Sequence, residues 1–241
     1  MSNATLDKVS SENISNLKTE RFVFGRACDV LGIDFLNHPD WQEFQNFFTS
    51  LELDNYMMDG GLYRKRRFGR FKWFSDGDRL EQQPQTPYTQ PLYFNPLNGG
   101  IERHFAPLTD NIVNSPVLKL LLRKLANAYG ELEDINTWKI NTYFNRIIST
   151  KDFAGQPVPE GKHRDGVKFS CLFMANRSNV SGGSTTLTDI LYQKHVFTGT
   201  LENPGDVLIF RDDTVIHDTS AIEVNRDAQE GYRDVLVIEF Y

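Results

Sequence analysis

Four runs rich in aliphatic, β-branched and aromatic residues, 138–148, 167–175, 207–210 and 234–241, constrain the fold of this chain more than any other feature. Each is short, and turn residues such as Pro204, Gly205 and Asp206 separate them, the pattern of strands rather than of helices. From Trp138 onward every element reads as extended. The first half carries helical signals instead. Behind Asp40, a good N-cap, Trp41, Phe44, Phe47, Phe48 and Leu51 recur at helical spacing, which predicts an amphipathic helix over 40–52. Ser115 and Pro116 open a second helix with Val117, Leu118, Leu121, Leu122, Leu125 and Tyr129 on one face and Gly130 at its end. Between the two helices, residues 62–105 mix aromatic and basic positions, and the proline- and glutamine-rich stretch 82–91 reads as a surface loop. The expected class is mainly β with flanking helices: a helical N-terminal half buttressing a C-terminal double-stranded β-helix, the cupin-like jelly roll of two packed sheets.

The chain has 241 residues, which suits a single domain over residues 21–241, with residues 1–20 expected to be a flexible N-terminus. A formal charge of −6 argues against a nucleic-acid partner, although Arg64, Lys65, Arg66, Arg67 and Arg70 cluster. Cys28 and Cys171 are far apart and have no metal-type spacing, so a disulfide framework is not expected. No apolar run approaches the ~20 residues that span a bilayer, and the first residues lack the apolar core of a secretory signal. The expectation is a protein with no membrane partner in a reducing cytoplasm.

His163 and Asp165 are the chemically pointed pair. Two residues apart on extended backbone, they project to the same side. His217, after the apolar run 207–210, offers a second imidazole at another strand end. Two histidines and one carboxylate on one face of an octahedral ion leave positions open, which is the arrangement of non-haem Fe(II) oxygenases. Arg233, beside the last run, offers a planar fork suited to the far carboxylate of a dicarboxylic cosubstrate. Each has a plainer reading: His217 hydrogen-bonded to Asp213 or Asp218, and Arg233 ion-paired with Asp206 or Asp234. Arg64, Arg66, Arg67, Arg103 and His104 are candidates for a substrate carboxylate, or else a solvated basic face. Asn141 and Tyr143, on the strand before the ligand pair, can reach a cosubstrate or simply satisfy a buried sheet.

With His163, Asp165, His217 and Arg233 in this order, the chain resembles the Fe(II)- and 2-oxoglutarate-dependent dioxygenases. It is most similar to the bacterial amino-acid hydroxylase branch that contains L-isoleucine 4-hydroxylase, through the blocks at 63–71, 94–108, 163–187 and 231–241. The resemblance implies a jelly-roll enzyme in which His163, Asp165 and His217 bind Fe(II) and Arg233 grips 2-oxoglutarate. With O2, it would hydroxylate an unactivated C–H of a free L-amino acid or similar small molecule. Since related halogenases lack the carboxylate ligand, Asp165 favours hydroxylation. A peptidyl hydroxylase of the same chemistry and a jelly-roll metal-binding protein without turnover remain open at this point.

Overall fold

The computed structural model of the chain describes residues 14–95 and 97–241. Residues 1–13, most of the segment expected to be flexible, lie outside them. Ile14 and Leu17, which follow, are buried in the main core.

Thirteen strands stand among the described residues. They are β1 (Phe22–Arg26), β2 (Glu52–Leu53), β3 (Arg64–Phe74), β4 (Arg79–Gln83), β5 (Thr137–Thr150), β6 (Phe169–Ser178), β7 (Val180–Gly182), β8 (Ser184–Asp189), β9 (His195–Thr200), β10 (Asp206–Arg211), β11 (Val215–Thr219), β12 (Ile222–Val224) and β13 (Glu230–Phe240). The large sheet runs β1-β10-β6-β13-β5-β3-β2, with β4 also on β3. A smaller sheet, β11-β8-β9, and the pair β12-β7 form the opposing layer. All these ladders are antiparallel. This is the two-layer arrangement expected of a jelly roll.

The large sheet is buried on both faces, which explains why its strands read as continuous apolar runs. On β6, Cys171 and Phe173 join the helix-side core, whereas Leu172 and Met174 pack with Leu187 and Val215 of the small sheet. On β13, Leu236, Ile238 and Phe240 face the helices, and Arg233, Val235, Val237 and Glu239 face the space between the sheets.

Two helices cover the outer face. The predicted helix over 40–52 forms as α1 (Trp41–Asn46) followed by a 3-10 turn, Phe47–Ser50. Phe44 and Phe48 meet Phe144 of β5 at ring distances of 5.8 and 5.1 Å. The second helix, α2 (Pro116–Glu133), begins as expected, with Ser115 Oγ accepting from the Leu118 N–H. It does not stop at Gly130. The chain turns at Asp134, in the left-handed region at φ 54°, and the N–H that caps the end reaches back to the Gly130 carbonyl. A Cβ on Gly130 would lie 2.9 Å from the Ile135 carbonyl and 3.2 Å from the Trp73 ring, so close packing, not termination, calls for glycine there.

The region 62–105 also departs from expectation. Its basic block is the eleven-residue strand β3, central to the large sheet. The stretch read as a surface loop crosses the mouth of the sandwich: Tyr88 and Arg103 exchange backbone hydrogen bonds of 2.9 Å, and Gln90 is buried.

Because Phe144 is fully buried between α1 and the sheet, Phe144→Ala should lower stability by about 3–5 kcal/mol. Urea unfolding measures this; a loss below 1 kcal/mol would mean that the helices contribute little to holding the sheet.

Candidate metal centre and its cavity

His163 and Asp165 do not lie on a regular strand. They occupy irregular backbone before β6, and His163 makes an isolated bridge to His217 on β11. Reciprocal backbone hydrogen bonds of 3.0 and 2.9 Å fix that bridge, so the two imidazoles sit side by side with ring centroids 4.3 Å apart. Tertiary pairing supplies what a strand ladder was expected to supply. One donor atom from each of His163, Asp165 and His217 lies within 4.8 Å of the others.

The surroundings orient these donors. The Gly161 carbonyl is 2.9 Å from His163 Nδ1, which fixes the proton there and leaves Nε2 facing Asp165 Oδ1 at 3.4 Å. Ser170 Oγ donates to Asp165 Oδ2 at 2.9 Å. His217 Nε2 is 3.8 Å from the same oxygen, while its Nδ1 faces Asp212 at 3.8 Å without a hydrogen bond. Asp212 is fully buried and accepts from the backbone N–H groups of Asp165, Gly166 and Val167 at 2.9, 2.9 and 3.1 Å. It holds the ligand loop in shape. Gly166, at φ 81° against the Phe94 ring, makes the turn that brings those N–H groups together.

The side chains of the cluster set one another's protonation. Burial opposes charge on His163, but the hydrogen bond and charge of Asp165, with Glu160 behind them, raise it to about 9. Burial also disfavours the Asp165 carboxylate, yet His217 and His163 outweigh it and hold its pKa well below the usual range. Desolvation pushes His217 down to about 4, so it stays a neutral donor. Two imidazoles, one of them neutral, a carboxylate kept ionised and an ordered outer layer suit a divalent ion.

A cavity opens beside this group between the sheets. Arg233 projects into it, buried, with Nε and Nη2 lacking any hydrogen-bond partner among the described residues. Neither plainer partner serves it. Asp234 pairs with Arg146 at 2.7 Å on the opposite face of β13, and Asp206 with Arg26 at 3.3 Å. An unpaired buried guanidinium is costly unless an anion completes it, and a carboxylate is the geometric match. Burial lowers its pKa to about 10.

Strand alternation sorts the remaining candidates. Arg64, Arg66 and Arg103 line the cavity with Tyr143. Arg67 lies on the other face of β3, bonded to Glu52 and to the carbonyls of Ser50 and Pro107, because it is one residue out of phase with Arg66. His104 is solvent-exposed beside Glu102. Neither reaches the cavity. Asn141 and Tyr143 donate to Glu239 Oε2 at 3.0 and 2.9 Å, so Asn141 is a carboxyl partner and Tyr143 both a partner and a wall.

Residue-type reasoning missed Asp212, Glu160, Tyr88, Gln90 and Glu239. Glu239 left a signal, as the acid that interrupts the apolar run 235–241. Burial, and then the charge of Asp165, raise it to about 8 despite its two hydrogen bonds. A carboxyl raised in this way stabilises the fold fully below its unfolded value near 4.5, and that stabilisation is lost as the pH rises through about 8. In the metal-free chain, Glu239→Gln should therefore gain on wild type by a few kcal/mol between pH 5 and pH 9. Urea unfolding at both values reads this, and a pH-independent difference would contradict it.

A protein-family model described as 2OG-Fe dioxygenase matches residues 45–239. Among solved structures, a bsmA homologue from Methylobium petroleophilum PM1 is 29% identical with a TM-score of 0.85, over 96% of this chain and 92% of that one. IDO from Bacillus thuringiensis is 18% identical at a TM-score of 0.77, over 100% of this chain and 96% of that one. The Fe(II)/(alpha)ketoglutarate-dependent dioxygenase TqaL is 17% identical at 0.77, over 98% and 88%. The last two likenesses are ones of fold. No curated protein matches the chain.

Proposed function

This chain belongs to the 2OG-Fe dioxygenase family, enzymes that use Fe(II), 2-oxoglutarate and O2, and from that premise we propose that it hydroxylates an unactivated C–H bond of a free L-amino acid or similar small molecule, releasing succinate and CO2. The observation that carries the reading is the His163, Asp165 and His217 cluster sharing one cavity with the partnerless guanidinium of Arg233.

Under this reading His163, Asp165 and His217 hold the iron, and Arg233 binds the distal carboxylate of 2-oxoglutarate. Bound iron, cosubstrate and O2 supply the oxidising power that places an oxygen atom into the C–H bond, and the polypeptide supplies aim and dryness. Leu172, Val235 and Val237 form an apolar wall that keeps water from the reacting centre. Asp165 keeps its charge and Asp212 keeps its loop in place, so the donor set is ordered before metal arrives. Glu239, held by Asn141 and Tyr143, keeps a protonatable carboxyl at the cavity floor.

The substrate class follows from the cover. Tyr88, Gln90, Asn95 and Arg103 all come from the segment across the mouth and line one side of the cavity, a setting that suits a small molecule. The sequence blocks that resemble amino-acid hydroxylases agree with this choice.

Anaerobic reconstitution with Fe(II) and 2-oxoglutarate, followed by O2 and measurement of succinate across free L-amino acids, tests the reading. A hydroxylated product formed in step with succinate is expected. Stimulation by peptides but by no free amino acid would assign a peptidyl hydroxylase. His163→Ala should abolish iron-dependent turnover. Arg233→Ala should weaken 2-oxoglutarate binding at least tenfold and metal binding little; an unchanged cosubstrate affinity would remove Arg233 from that role.

A further inference from the structure

Arg233 is not the only guanidinium in the cavity without an anion. Arg103 is buried, with its guanidinium stacked 4.8 Å from the Tyr88 ring centroid and 5.5 Å from that of Phe105. Its Nη2 donates to the neutral Gln90 Oε1 at 3.3 Å, its Nε has no partner, and no carboxylate among the described residues lies within 4.0 Å of it. Arg66 lies 4.7 Å from the centroid of the same Phe105 ring. Its Nε is 3.0 Å from Asp54 Oδ2 without hydrogen-bond geometry, and the same oxygen accepts from Arg64 Nε at 2.8 Å. Arg64 and Arg66 thus share the Asp54 carboxylate, with Glu160 also acting on Arg64, and Arg103 has no carboxylate in contact with it among the described residues. Burying charge on those terms is unfavourable unless a further anion completes the set.

The anion that Arg233 serves is not positioned to do this. Arg66 on β3 and Arg233 on β13 flank β5, so their backbones are two strand spacings, roughly 10 Å, apart across the sheet. The cavity has two cationic ends.

We propose that Arg103 and Arg66 form a second carboxylate site, which takes the carboxylate of the substrate to be oxidised. The inference rests on the small-molecule oxygenase reading and goes beyond it by fixing which end of the substrate is anchored. A guanidinium packed against aromatic rings keeps N–H donors for a planar carboxylate, which its fork suits. Gln90 sets the reach: its Oε1 accepts from Arg103 and its Nε2 donates to the Asp165 carbonyl at 3.3 Å. The carboxylate therefore sits one glutamine side chain from the backbone of a metal ligand, and the carbon oxidised lies only a few bonds from the acid. Esters, amides and residues within a peptide lack the anchoring charge.

The test uses the full chain with Mn(II) and 2-oxoglutarate under nitrogen, where binding is read without turnover. The twenty common L-amino acids and their primary carboxamides are titrated by calorimetry and thermal shift. At least one acid should bind, its amide at least tenfold more weakly, and Arg103→Gln should weaken that acid at least tenfold while 2-oxoglutarate affinity stays within twofold. Retained cosubstrate binding certifies the variant's fold, and Arg103→Lys serves in its place should Arg103→Gln lose it. Equal binding of acid and amide, an Arg103 variant that binds the acid as wild type does, or no amino acid bound by a chain that binds 2-oxoglutarate, would each overturn the proposal and leave the oxygenase reading standing. A wild-type chain that binds no 2-oxoglutarate would sink both.

Discussion

The large sheet is buried on both faces, and the rest of the structure depends on that constraint. With a side-chain period of two, each of its strands must send alternate residues into two different environments. One set meets α1 and α2 and can be wholly apolar, as Phe144, Phe173 and Leu236 are. The other set faces the small sheet, and there the polar residues are gathered: Arg64 and Arg66 on β3, Asn145 on β5, Arg233 and Glu239 on β13. Ladder register lines them up across the sheet, with Arg64, Ile147 and Arg233 in one row and Phe68, Tyr143 and Val237 in another. The cavity is the place where alternation was spent on chemistry and not on packing.

Charge placed in such a space has to be compensated, and the compensation is unequal in an informative way. Asp165 is surrounded by two imidazoles, a hydroxyl and a loop pinned by Asp212, so its negative charge is prepared for a cation. Among the described residues Arg233 and Arg103 have no acid beside them, so the fold carries unsatisfied positive charge a short distance from a prepared cation site. A polypeptide gains nothing in stability from that arrangement. Its physical sense lies in what binds: a metal at the centre and anionic groups on either side.

Much of the machinery could be read before any coordinates. The strands were legible because burial on both faces leaves unbroken apolar runs, and the same runs place Asn141 and Tyr143 on β5, where they meet Glu239. The tripeptide His163-x-Asp165 pointed to one side of extended backbone, and that held although the segment is irregular. Arg67 and His104 were misplaced for a reason a sequence could have supplied in part: Arg67 is out of phase with Arg64 and Arg66, and the cost of ignoring period two is a residue on the wrong face. Proline and glutamine forbid a central strand and so mark the mouth segment as a loop, but they do not fix which of its residues, such as Tyr88 and Gln90, line the cavity beneath.

By itself the amino-acid sequence determined which residue types were available and which stretches would extend: two histidines and an aspartate with the right valence, an arginine near the last strand, and apolar runs long enough for a sandwich. Those follow from covalent chemistry and local periodicity. The tertiary structure alone decided that His217 pairs its backbone with His163, that Asp212 ties down the ligand loop, and that Arg103 comes to rest beside Tyr88 above the same hollow as Arg233. Each of these joins residues far apart in the chain through contacts that only the closing of one sheet over the other can create.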